Sequence, residues 1–374
     1  MIPNIDLELP KKGKENKVVI AMSGGVDSSV AAALVKNAGY SAIGITLKLY
    51  DNGTSANKKG SCCAGQDIHD ARKVAADLDI PHYVLNYEDI FKKKVIDHFS
   101  DSYQRGETPI PCVLCNEKVK FDDLYFAAKD LGAKALVTGH YIITSGNKNG
   151  RQMFRALDKE KDQSYFLFKT TKEQLEFLRF PLGSFRKSEI REIAKEIGLS
   201  VSSKPDSQDI CFVPEGKYSE VLKKIDPINL KPGNLKSING DILGKHNGII
   251  NFTVGQRKGL GIATGNPLYV IEINSDNHDV ILGSKEDLKR KNIYIKDLNW
   301  IGDDNLDRIY DKKIKVMAKI RSTQEPKNAS LFFDSGKACV NFDESVEGVS
   351  PGQACVFYDL SNTSRVLGGG WIAG

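Results

Sequence analysis

The feature that most constrains the fold is a glycine-rich turn between a short apolar run and an alanine-rich segment. Residues 18–22 form an uninterrupted apolar run with the length of a buried strand. The turn spans residues 23–29, and residues 28–37 have the composition of a helix, with Gly39 suited to its C-terminal end. Glycines let the backbone approach an anion closely, and the free amides of a helix N-terminus favour negative charge. This arrangement predicts a phosphate-binding loop at the carboxyl end of a parallel strand.

Strands and helices are expected to alternate through the first half of the chain. Such alternation predicts an α/β fold with a doubly wound parallel sheet and helices on both faces. Further strands are predicted at residues 42–47, 82–85 and 135–139, and further helices at 67–78, 89–103, 118–131 and 188–198.

The pattern changes around Pro214, where prolines and glycines begin to interrupt short strands. From about residue 292 apolar and polar residues alternate, as in the strands predicted at 313–320 and 354–358. That pattern favours a small antiparallel barrel or sandwich. We therefore expect a catalytic domain over residues 1–214, a small central domain over 215–284 and a C-terminal β-barrel domain over 285–374.

The bulk composition of the 374 residues is that of an ordinary globular protein, 40% hydrophobic and 27% charged. No stretch approaches the roughly 20 apolar residues that span a bilayer. The polar, lysine-rich start has no apolar core of the kind a secretion signal needs, so a cytoplasmic location without membrane attachment is expected. The net charge of +5 gives modest support to a polyanionic partner.

The glycine turn has its own chemistry. It contains no lysine, so it is not the mononucleotide P-loop, which needs Gly-x-x-x-x-Gly-Lys-Ser/Thr. Ser23, Ser28 and Ser29 offer hydroxyl donors, and the Asp27 carboxylate is suited to hold Mg²⁺ beside phosphates. The sequence Ser-Gly-Gly-x-Asp-Ser resembles the signature of the PP-loop ATP pyrophosphatases. That resemblance implies that ATP adenylates a carbonyl or carboxyl oxygen and releases pyrophosphate.

Seven cysteines form an odd set that favours reactive thiols or metal sites over structural disulfides in a cytosolic protein. Two of them, Cys339 and Cys355, lie among alternating apolar residues and are predicted to be small core residues. The others are Cys62, Cys63, Cys112, Cys115 and Cys211.

Cys112 and Cys115 share a segment with two prolines, Pro109 and Pro111. We expect a loop before a helix here, with Cys115 close to the helix N-terminus, where a thiolate is stabilised and nucleophilic. Cys211 is expected on another short loop. Any one of these cysteines could equally be a buried core residue, but a Cys-x-x-Cys pair on a proline-bearing loop favours a functional site.

Several further motifs occur in a fixed order. Together with the glycine turn they resemble the tRNA-specific 2-thiouridylase family, and the resemblance spans most of the chain. The motifs are Thr-Pro-Ile-Pro-Cys-Val-Leu-Cys-Asn at 108–116, Thr-Gly-His-Tyr at 138–141, Lys-Asp-Gln-Ser-Tyr at 161–165, Ser-Gln-Asp-Ile-Cys-Phe at 207–212, Thr-Val-Gly-Gln-Arg-Lys-Gly-Leu-Gly at 253–261 and Ser-Pro-Gly-Gln at 350–353.

The resemblance implies a reaction on tRNA. The family replaces the C2 oxygen of the wobble uridine, position 34, with sulfur after ATP has adenylated that oxygen, giving 2-thiouridine, AMP and pyrophosphate. Cys211 matches the cysteine that carries the persulfide, loaded by a persulfide-carrying sulfur donor protein. Cys115 matches the nucleophilic partner thiol, which is able to form a transient disulfide with Cys211 by thiol–disulfide exchange.

The same mapping assigns binding residues. Those implied to contact ATP, with Mg²⁺, are Ala21, Met22, Ser23, Gly24, Gly25, Val26, Asp27, Ser28, Leu47 and Gly139. Those implied to contact tRNA are Ile110, Pro111, Cys112, His140, Lys161, Asp162, Gln163, Arg321, Ser322 and Gln353. Basic side chains in this set suit phosphates, and amides suit backbone or base positioning.

One position departs from the family pattern. Many members have aspartate three residues before the loop cysteine, where this chain has Cys112. An unperturbed thiol has a pKa of about 8.5 against about 3.9 for aspartate, so the two differ as proton donors. Cys112, Cys115 and Cys211 could instead hold an iron–sulfur cluster whose open iron delivers sulfide. A cluster of this kind would replace the persulfide as the sulfur source.

Two rival functions each account for part of the sequence. Another PP-loop enzyme, such as a lysidine synthetase or a carboxylate amidotransferase, would not need the cysteine pair, and a non-catalytic tRNA-binding protein would not need Asp27.

Two smaller features complete the set of candidate sites. The vicinal Cys62 and Cys63 suit a helix entry better than an accessory thiol site. Arg257 and Lys258, flanked by glycines, predict a phosphate-contacting loop.

Overall fold

The computed structural model describes residues 2–9, 15–50, 65–206, 210–213, 218–225, 231–262, 265–303, 310 and 312–374. The chain divides into two compact units. The first comprises Met1–Lys94, Cys112–Gly216 and Ser364–Val366, and the second comprises Val95–Pro111, Lys217–Thr363 and Leu367–Gly374.

The described strands are β1 (Lys17–Ala21), β2 (Ser41–Lys48), β3 (His82–Asn86), β4 (Ala135–Val137), β5 (Ile142–Asn147), β6 (Gly150–Arg155), β7 (Leu178–Arg179), β8 (Gly233–Ser237), β9 (Ile242–His246), β10 (Tyr269–Asn274), β11 (Asp279–Gly283), β12 (Lys289–Trp300), β13 (Ile314–Lys319), β14 (Lys327–Asp334), β15 (Lys337–Glu347), β16 (Ala354–Tyr358) and β17 (Arg365–Ile372). The described helices are α1 (Val26–Asn37), α2 (Gly65–Asp77), α3 (Glu88–Phe91), α4 (Asp97–Gln104), α5 (Pro111–Cys115), α6 (Leu124–Asp130), α7 (Lys172–Phe177), α8 (Lys187–Glu196) and α9 (Tyr218–Ile225).

A parallel sheet forms the centre of the first unit. Its strand order is β3-β2-β1-β4-β7, so β1 lies in the middle. Lys17 pairs with Ser41 of β2 on one side, and Val18 pairs with Ala135 of β4 on the other. A middle strand is covered on both faces, which explains why β1 is a continuous apolar run rather than an alternating one. The predicted doubly wound α/β fold is confirmed.

Helix α1 follows directly from the composition of its segment. Gly25 is extended, with φ −91°, and precedes the first helical residue, while Gly39, with φ +83°, follows the last turn. Small alanines between these ends let the helix lie close to the sheet, and its Val30 and Leu34 share one apolar core with Ile190 of α8. The glycine turn is therefore held between a buried strand and a buried helix.

The segment that carries Cys112 and Cys115 differs from its prediction. We expected a loop there and a helix from residue 118, but α5 already begins at Pro111 and continues into π-helical turns over Asn116–Asp123. Proline is well suited to a first helical position, because its missing N–H would have no partner there and its φ is already helical. Cys112 lies exposed in the first turn, and Cys115 lies buried in the next.

The second unit is built mainly from antiparallel strands. One sheet has the order β10-β11-β8-β9, in which β11 and β8 are parallel. A second set, β12-β15-β14-β13-β16-β17, closes on itself through pairing of β12 with β17. The C-terminal region is thus a barrel, as predicted, and not a sandwich.

The barrel interior explains two of the cysteines. Cys355 is fully buried and packs in the same core as Val316, Leu331 and Phe342, and Cys339 is buried as well. Burial raises the pKa of both thiols, Cys355 the more strongly. The prediction that these two are core residues is confirmed.

Nowhere in the described part of the chain is a helix both long enough and apolar enough to cross a membrane.

Candidate active site around the glycine turn

The glycine turn after β1 has a shape that only glycine allows. Gly24 has φ +73°, and a Cβ at this position would lie 2.1 Å from the backbone oxygen of Asp67 in α2. At Gly139, just after β4, a Cβ would lie 2.9 Å from the backbone of both Asp27 and Ser28. The turn is therefore enclosed by α2 on one side and by the end of β4 on the other, which fixes where its amides point.

Hydroxyl groups inside the turn hold its conformation. Ser28 and Ser29 both donate to the carbonyl of Gly25, at 3.2 and 2.8 Å, and the amide of Ser23 donates to the Ser28 hydroxyl at 3.1 Å. Ser29 is fully buried, whereas Ser23 is exposed. We predicted all three as hydroxyl donors; in the structure the hydroxyls of Ser28 and Ser29 donate to the Gly25 carbonyl within the helix start.

The structure brings to the turn a lysine that the sequence motifs did not identify. Lys187, the first residue of α8, donates from Nζ to both carboxylate oxygens of Asp27, at 2.7 and 2.8 Å. Its side chain is only 10% exposed. The hydroxyl of Tyr141 also donates to Asp27, at 2.7 Å. Burial and the neighbouring Asp27 raise the pKa of Tyr141, so it remains a proton donor at neutral pH.

A second lysine that the sequence motifs did not identify contacts the turn and α2. Lys204 donates from Nζ to the carbonyl of Gly24 at 2.9 Å and to the carboxylates of Asp67 and Asp70, each at 2.6 Å. Burial alone would lower the pKa of Lys204, but the two carboxylates outweigh it and raise that pKa. The turn, which contains no lysine, is thus contacted by two lysine side chains from elsewhere in the chain. An amphipathic helix beginning with lysine was the available signal for Lys187, and the sequence offered none for Lys204.

Asp206 joins this cluster from the same loop as Lys204. Its carboxylate receives Lys187 at 2.9 Å, Lys161 at 3.0 Å and Arg191 at 2.5 Å. Burial would raise the pKa of Asp206, but the hydrogen bonds from Lys187 and Lys161 lower it to about 2. It is an anion throughout the physiological range and holds three cations together.

Cys211 lies on a different part of the first unit's chain from Cys112 and Cys115, which share α5. Cys62, Cys63 and residues 207–209 lie outside the described residues. Cys211 itself is described, two residues after that gap. The backbone carbonyl of Cys211 accepts a 2.6 Å hydrogen bond from the Tyr50 hydroxyl, and the next residue, Phe212, packs edge-on against Phe91. These contacts fix the backbone beside the Cys211 thiol.

The side chains do not form a ready-made metal site. Across the ranges that the structure describes, no group of three or more His, Cys, Asp or Glu side chains is arranged to hold a metal ion. Cys112, Cys115 and Cys211 do not form a set of ligands in this arrangement. Asp27 can still serve Mg²⁺, because this ion is commonly bound by one carboxylate together with substrate phosphates and water.

Three of the residues expected to contact ATP lie at or just beyond the carboxyl ends of neighbouring strands. Ala21 ends β1, Met22 follows it directly, and Leu47 is buried near the end of β2. Thr46 donates to the carbonyl of Met22 at 2.7 Å and lies 2.8 Å from His82. These predicted residues therefore lie beside the turn, along the sheet edge where ligands of such folds bind.

His140, one of the residues expected to contact tRNA, lies among aromatic side chains in the first unit. The His140 ring lies between Phe121 and Phe180 and 2.7 Å from the Thr138 hydroxyl. Burial, together with Lys120, lowers the pKa of His140 well below 6.5, so the ring is neutral at pH 7.

The next motif is partly structural. Gln163 accepts from the amide of Tyr141 at 2.8 Å, which ties it to the glycine turn. The Asp162 carboxylate is 2% exposed and pairs with Arg155 at 3.0 Å. Its side chain is used inside the protein, so the tRNA contact expected of Asp162 is not one that this carboxylate is placed to make. Lys161 is more open, with 39% of its side chain exposed.

In the second unit, two of the residues expected to contact tRNA donate hydrogen bonds to backbone carbonyls. Arg321 donates to the carbonyls of Gly348 and Val254, and Ser322 beside it is exposed. Gln353 donates to the carbonyl of Thr108 at 2.9 Å. Ile110 and Pro111, which follow Thr108, are buried. Arg321 and Gln353 thus organise loops of this unit.

The fold and the turn together define a class. A parallel sheet of order 3-2-1-4-7, with a glycine turn after its central strand, is a nucleotide-binding α/β domain of the HUP kind, followed here by two β-rich domains. Family models match accordingly: a tRNA methyl transferase HUP domain over residues 16–215, a tRNA methyl transferase PRC-barrel domain over 219–284 and an aminomethyltransferase β-barrel domain over 290–372.

Relatives of nearly full length identify the family. A tRNA-specific 2-thiouridylase MnmA of Bartonella bacilliformis is 55% identical over 367 residues, 98% of this chain and 94% of that protein. Its counterparts in Parvibaculum lavamentivorans and Brucella canis are 54% and 52% identical, over 98% of this chain and 93% and 92% of theirs. The chain belongs to the tRNA-specific 2-thiouridylase MnmA family.

Proposed function

We propose that this protein is a tRNA-uridine 2-sulfurtransferase. It adenylates the C2 oxygen of the wobble uridine, position 34, with ATP and replaces that oxygen with sulfur, giving 2-thiouridine, AMP and pyrophosphate. The observation that carries the proposal is the glycine turn contacted by Lys187 and Lys204, in the same unit as Cys115 and Cys211. The names of its full-length relatives support the same activity.

The activation step uses the turn. Its amides and the start of α1 face the phosphates of ATP, and the adenine lies along Met22 and Leu47. Lys187 neutralises charge that develops on the departing pyrophosphate, which is the usual contribution of a pre-positioned cation to such a transfer. Asp27 is the residue that would hold Mg²⁺, which supplies charge neutralisation at the phosphates when bound. The remaining proposed ATP contacts are Ala21, Ser23, Gly24, Gly25, Val26, Ser28 and Gly139.

The sulfur step uses the two thiols. Cys211 carries a persulfide, loaded by a sulfur donor protein, and its terminal sulfur adds to C2 of the adenylated uridine. The Cys115 thiolate then attacks Sγ of Cys211, which breaks the S–S bond, leaves the terminal sulfur on C2 and forms a Cys115–Cys211 disulfide. Collapse of the C2 intermediate expels AMP. A cellular thiol reductant restores both cysteines.

The tRNA is bound by both units in this proposal. Its wobble base leaves the anticodon loop, a low-cost movement for a single-stranded base.

We further propose a cytoplasmic location and domain limits at residues 214 and 284. The proposed tRNA contacts are Ile110, Pro111, Cys112, His140, Lys161, Asp162 through its backbone, Gln163, Arg321, Ser322 and Gln353.

The alternative route places an iron–sulfur cluster on Cys112, Cys115 and Cys211. It would retain the same ATP chemistry, with the cluster as the sulfur source if it were bound, but among the described residues these three thiols do not form a ligand set. Methyl transfer, named in the description of the matching family models, gives no role to the glycine turn or to the paired thiols. Anaerobic purification followed by iron and sulfide analysis separates the two sulfur routes.

The experiment that tests the proposed function is thiolation of unmodified tRNA by ATP and a persulfide donor, followed on a mercury-containing gel. Wild type is expected to give a retarded tRNA band, and Cys115→Ser and Cys211→Ser to give none. Cys112→Ser distinguishes the two sulfur routes, because the Cys112 thiol has no chemical step in the persulfide route: thiolation is expected to continue, with the proposed tRNA contact as the only loss. Loss of activity in all three variants, together with bound iron, would favour the cluster route instead.

A further inference from the structure

The peptide group between Gly24 and Gly25 has an orientation that a distant side chain sets. A trans peptide is planar, so its C=O and its N–H point in opposite directions. The carbonyl of Gly24 accepts a hydrogen bond from Nζ of Lys204 at 2.9 Å. The amide of Gly25 therefore points away from Lys204.

The side of the turn that Lys204 occupies is unsuited to phosphates. Asp67 and Asp70 of α2 accept from the same ammonium, each at 2.6 Å, so these three side chains together carry a net charge of −1. The backbone of α2 also fills this space, because a Cβ on Gly24 would lie 2.1 Å from the Asp67 carbonyl oxygen. A triphosphate is repelled from this side and approaches from the other, towards which the Gly25 amide points.

The Lys204 ammonium is fully used within the protein. An ammonium group has three N–H donors, and the bonds to Gly24, Asp67 and Asp70 account for all three. Lys204 is therefore placed to hold the turn and not to bind a phosphate itself.

The next peptide of the turn needs no such distant partner. The carbonyl of Gly25 accepts from the hydroxyls of Ser28 and Ser29 and from the Ser29 amide, all within the start of α1. The Gly24 carbonyl is instead held by a residue 180 positions further along the chain. Because glycine tolerates both signs of φ, a peptide between two glycines can turn over at little steric cost once its carbonyl is released.

We propose that Lys204 is a positioning residue, which holds the Gly24 carbonyl and so keeps the Gly25 amide directed at the phosphates of ATP. The proposal rests on the proposed function, in which the glycine turn binds those phosphates. Lys204 acts through the backbone and does not touch the nucleotide.

The test is titration calorimetry of the full chain with two probes, α,β-methylene ATP in the presence of Mg²⁺, and adenosine. Lys204→Met is expected to bind the ATP analogue at least about tenfold more weakly, since a hydrogen bond to a charged group is lost. Adenosine has no phosphates, so its affinity should stay within about twofold of wild type. Lys36→Met is the matched control, because Lys36 near the other end of α1 also donates to a backbone carbonyl, that of Asp79, at 2.7 Å. It should leave both affinities at the wild-type value.

A second variant separates orientation from charge. Lys204→Met combined with Asp67→Asn and Asp70→Asn changes the local net charge from −1 to 0. An effect of charge alone would give this triple variant at least the wild-type affinity for the analogue, whereas loss of the peptide orientation keeps it at least about tenfold weaker. The triple variant also decides the question if Lys204→Met alone does not fold, because it leaves no carboxylate buried without its cation.

Three results would overturn the proposal. They are a Lys204→Met variant that binds the analogue as wild type does, a triple variant that regains wild-type affinity, and a loss of adenosine affinity as large as the loss of analogue affinity. A wild-type protein that binds no analogue would instead refute the ATP site of the proposed function, and the role of Lys204 with it. Failure of the proposed function is thus distinguishable from failure of this inference alone.

Discussion

Replacing Gly24 with alanine tests whether the shape of the glycine turn is fixed by its surroundings. At φ +73° an L-residue pays about 1–2 kcal/mol for the left-handed conformation. In addition, the new Cβ would lie 2.1 Å from the Asp67 carbonyl oxygen, so the turn or α2 must move by about an ångström or more, a strain of the kind that costs about 1–3 kcal/mol. We expect Gly24→Ala to lose about 2–5 kcal/mol of unfolding free energy.

The neighbouring glycine provides the control. Gly25 has φ −91°, and a Cβ there would meet nothing closer than the Ser23 hydroxyl at 3.6 Å. Gly25→Ala is therefore expected to stay within about 1 kcal/mol of wild type, since alanine also reduces the entropy of the unfolded chain.

The assay for this pair is urea unfolding followed by far-ultraviolet circular dichroism, which reports the helices of the first unit. Tryptophan fluorescence is unsuitable, because Trp300 and Trp371 both lie in strands of the second-unit barrel. The midpoint of Gly24→Ala should fall by about 1 M urea or more. A Gly24→Ala variant that unfolds at the wild-type midpoint would refute a turn fixed by its surroundings, and so would a Gly25→Ala variant that is destabilised as much as Gly24→Ala.

Two further predictions concern the charges around the turn and beside it. Lys187→Met removes the ammonium next to Asp27, and ATP affinity measured by titration calorimetry should fall at least about tenfold, the value of one charge-assisted hydrogen bond; a change of less than twofold would contradict a phosphate contact. The folded-state pKa of His140 is lowered, so below pH 6.5 the unfolded chain binds a proton that the folded chain does not. The stability that this residue contributes is therefore present above pH 6.5 and lost as the pH falls below it. The urea midpoint of wild type should therefore drop more between pH 7.5 and 5.5 than that of His140→Gln. Equal drops in the two proteins would contradict a lowered pKa at His140.

Much of the fold could be predicted because local signals and tertiary structure agree. The apolar run before the turn, the alanine-rich helix after it and Gly39 at its end each have one natural interpretation, and the structure has all three. Alternation in the last third of the chain likewise predicted the barrel strands. Periodicity left barrel and sandwich open, because closure depends on pairing between β12 and β17, which lie about 75 residues apart in sequence.

The site was less predictable for a physical reason. Lys187 and Lys204 lie 160 and 180 residues from the turn atoms they bind, and no local pattern encodes such a contact. The start of α5 is hard to predict for the opposite reason: Pro111 fits both a loop and a first helical position, and the local sequence does not separate the two. Asp162 was assigned by resemblance alone, and its burial against Arg155 was invisible in the sequence.

The central claim is that ATP activates the C2 oxygen which sulfur then replaces. The most direct measurement uses tRNA whose wobble uridine carries ¹⁸O at C2, treated with the enzyme, ATP and a persulfide donor. Mass spectrometry of the released AMP should then find one ¹⁸O atom for each 2-thiouridine formed, because the C2 oxygen departs with the nucleotide. Formation of 2-thiouridine with unlabelled AMP would contradict the account.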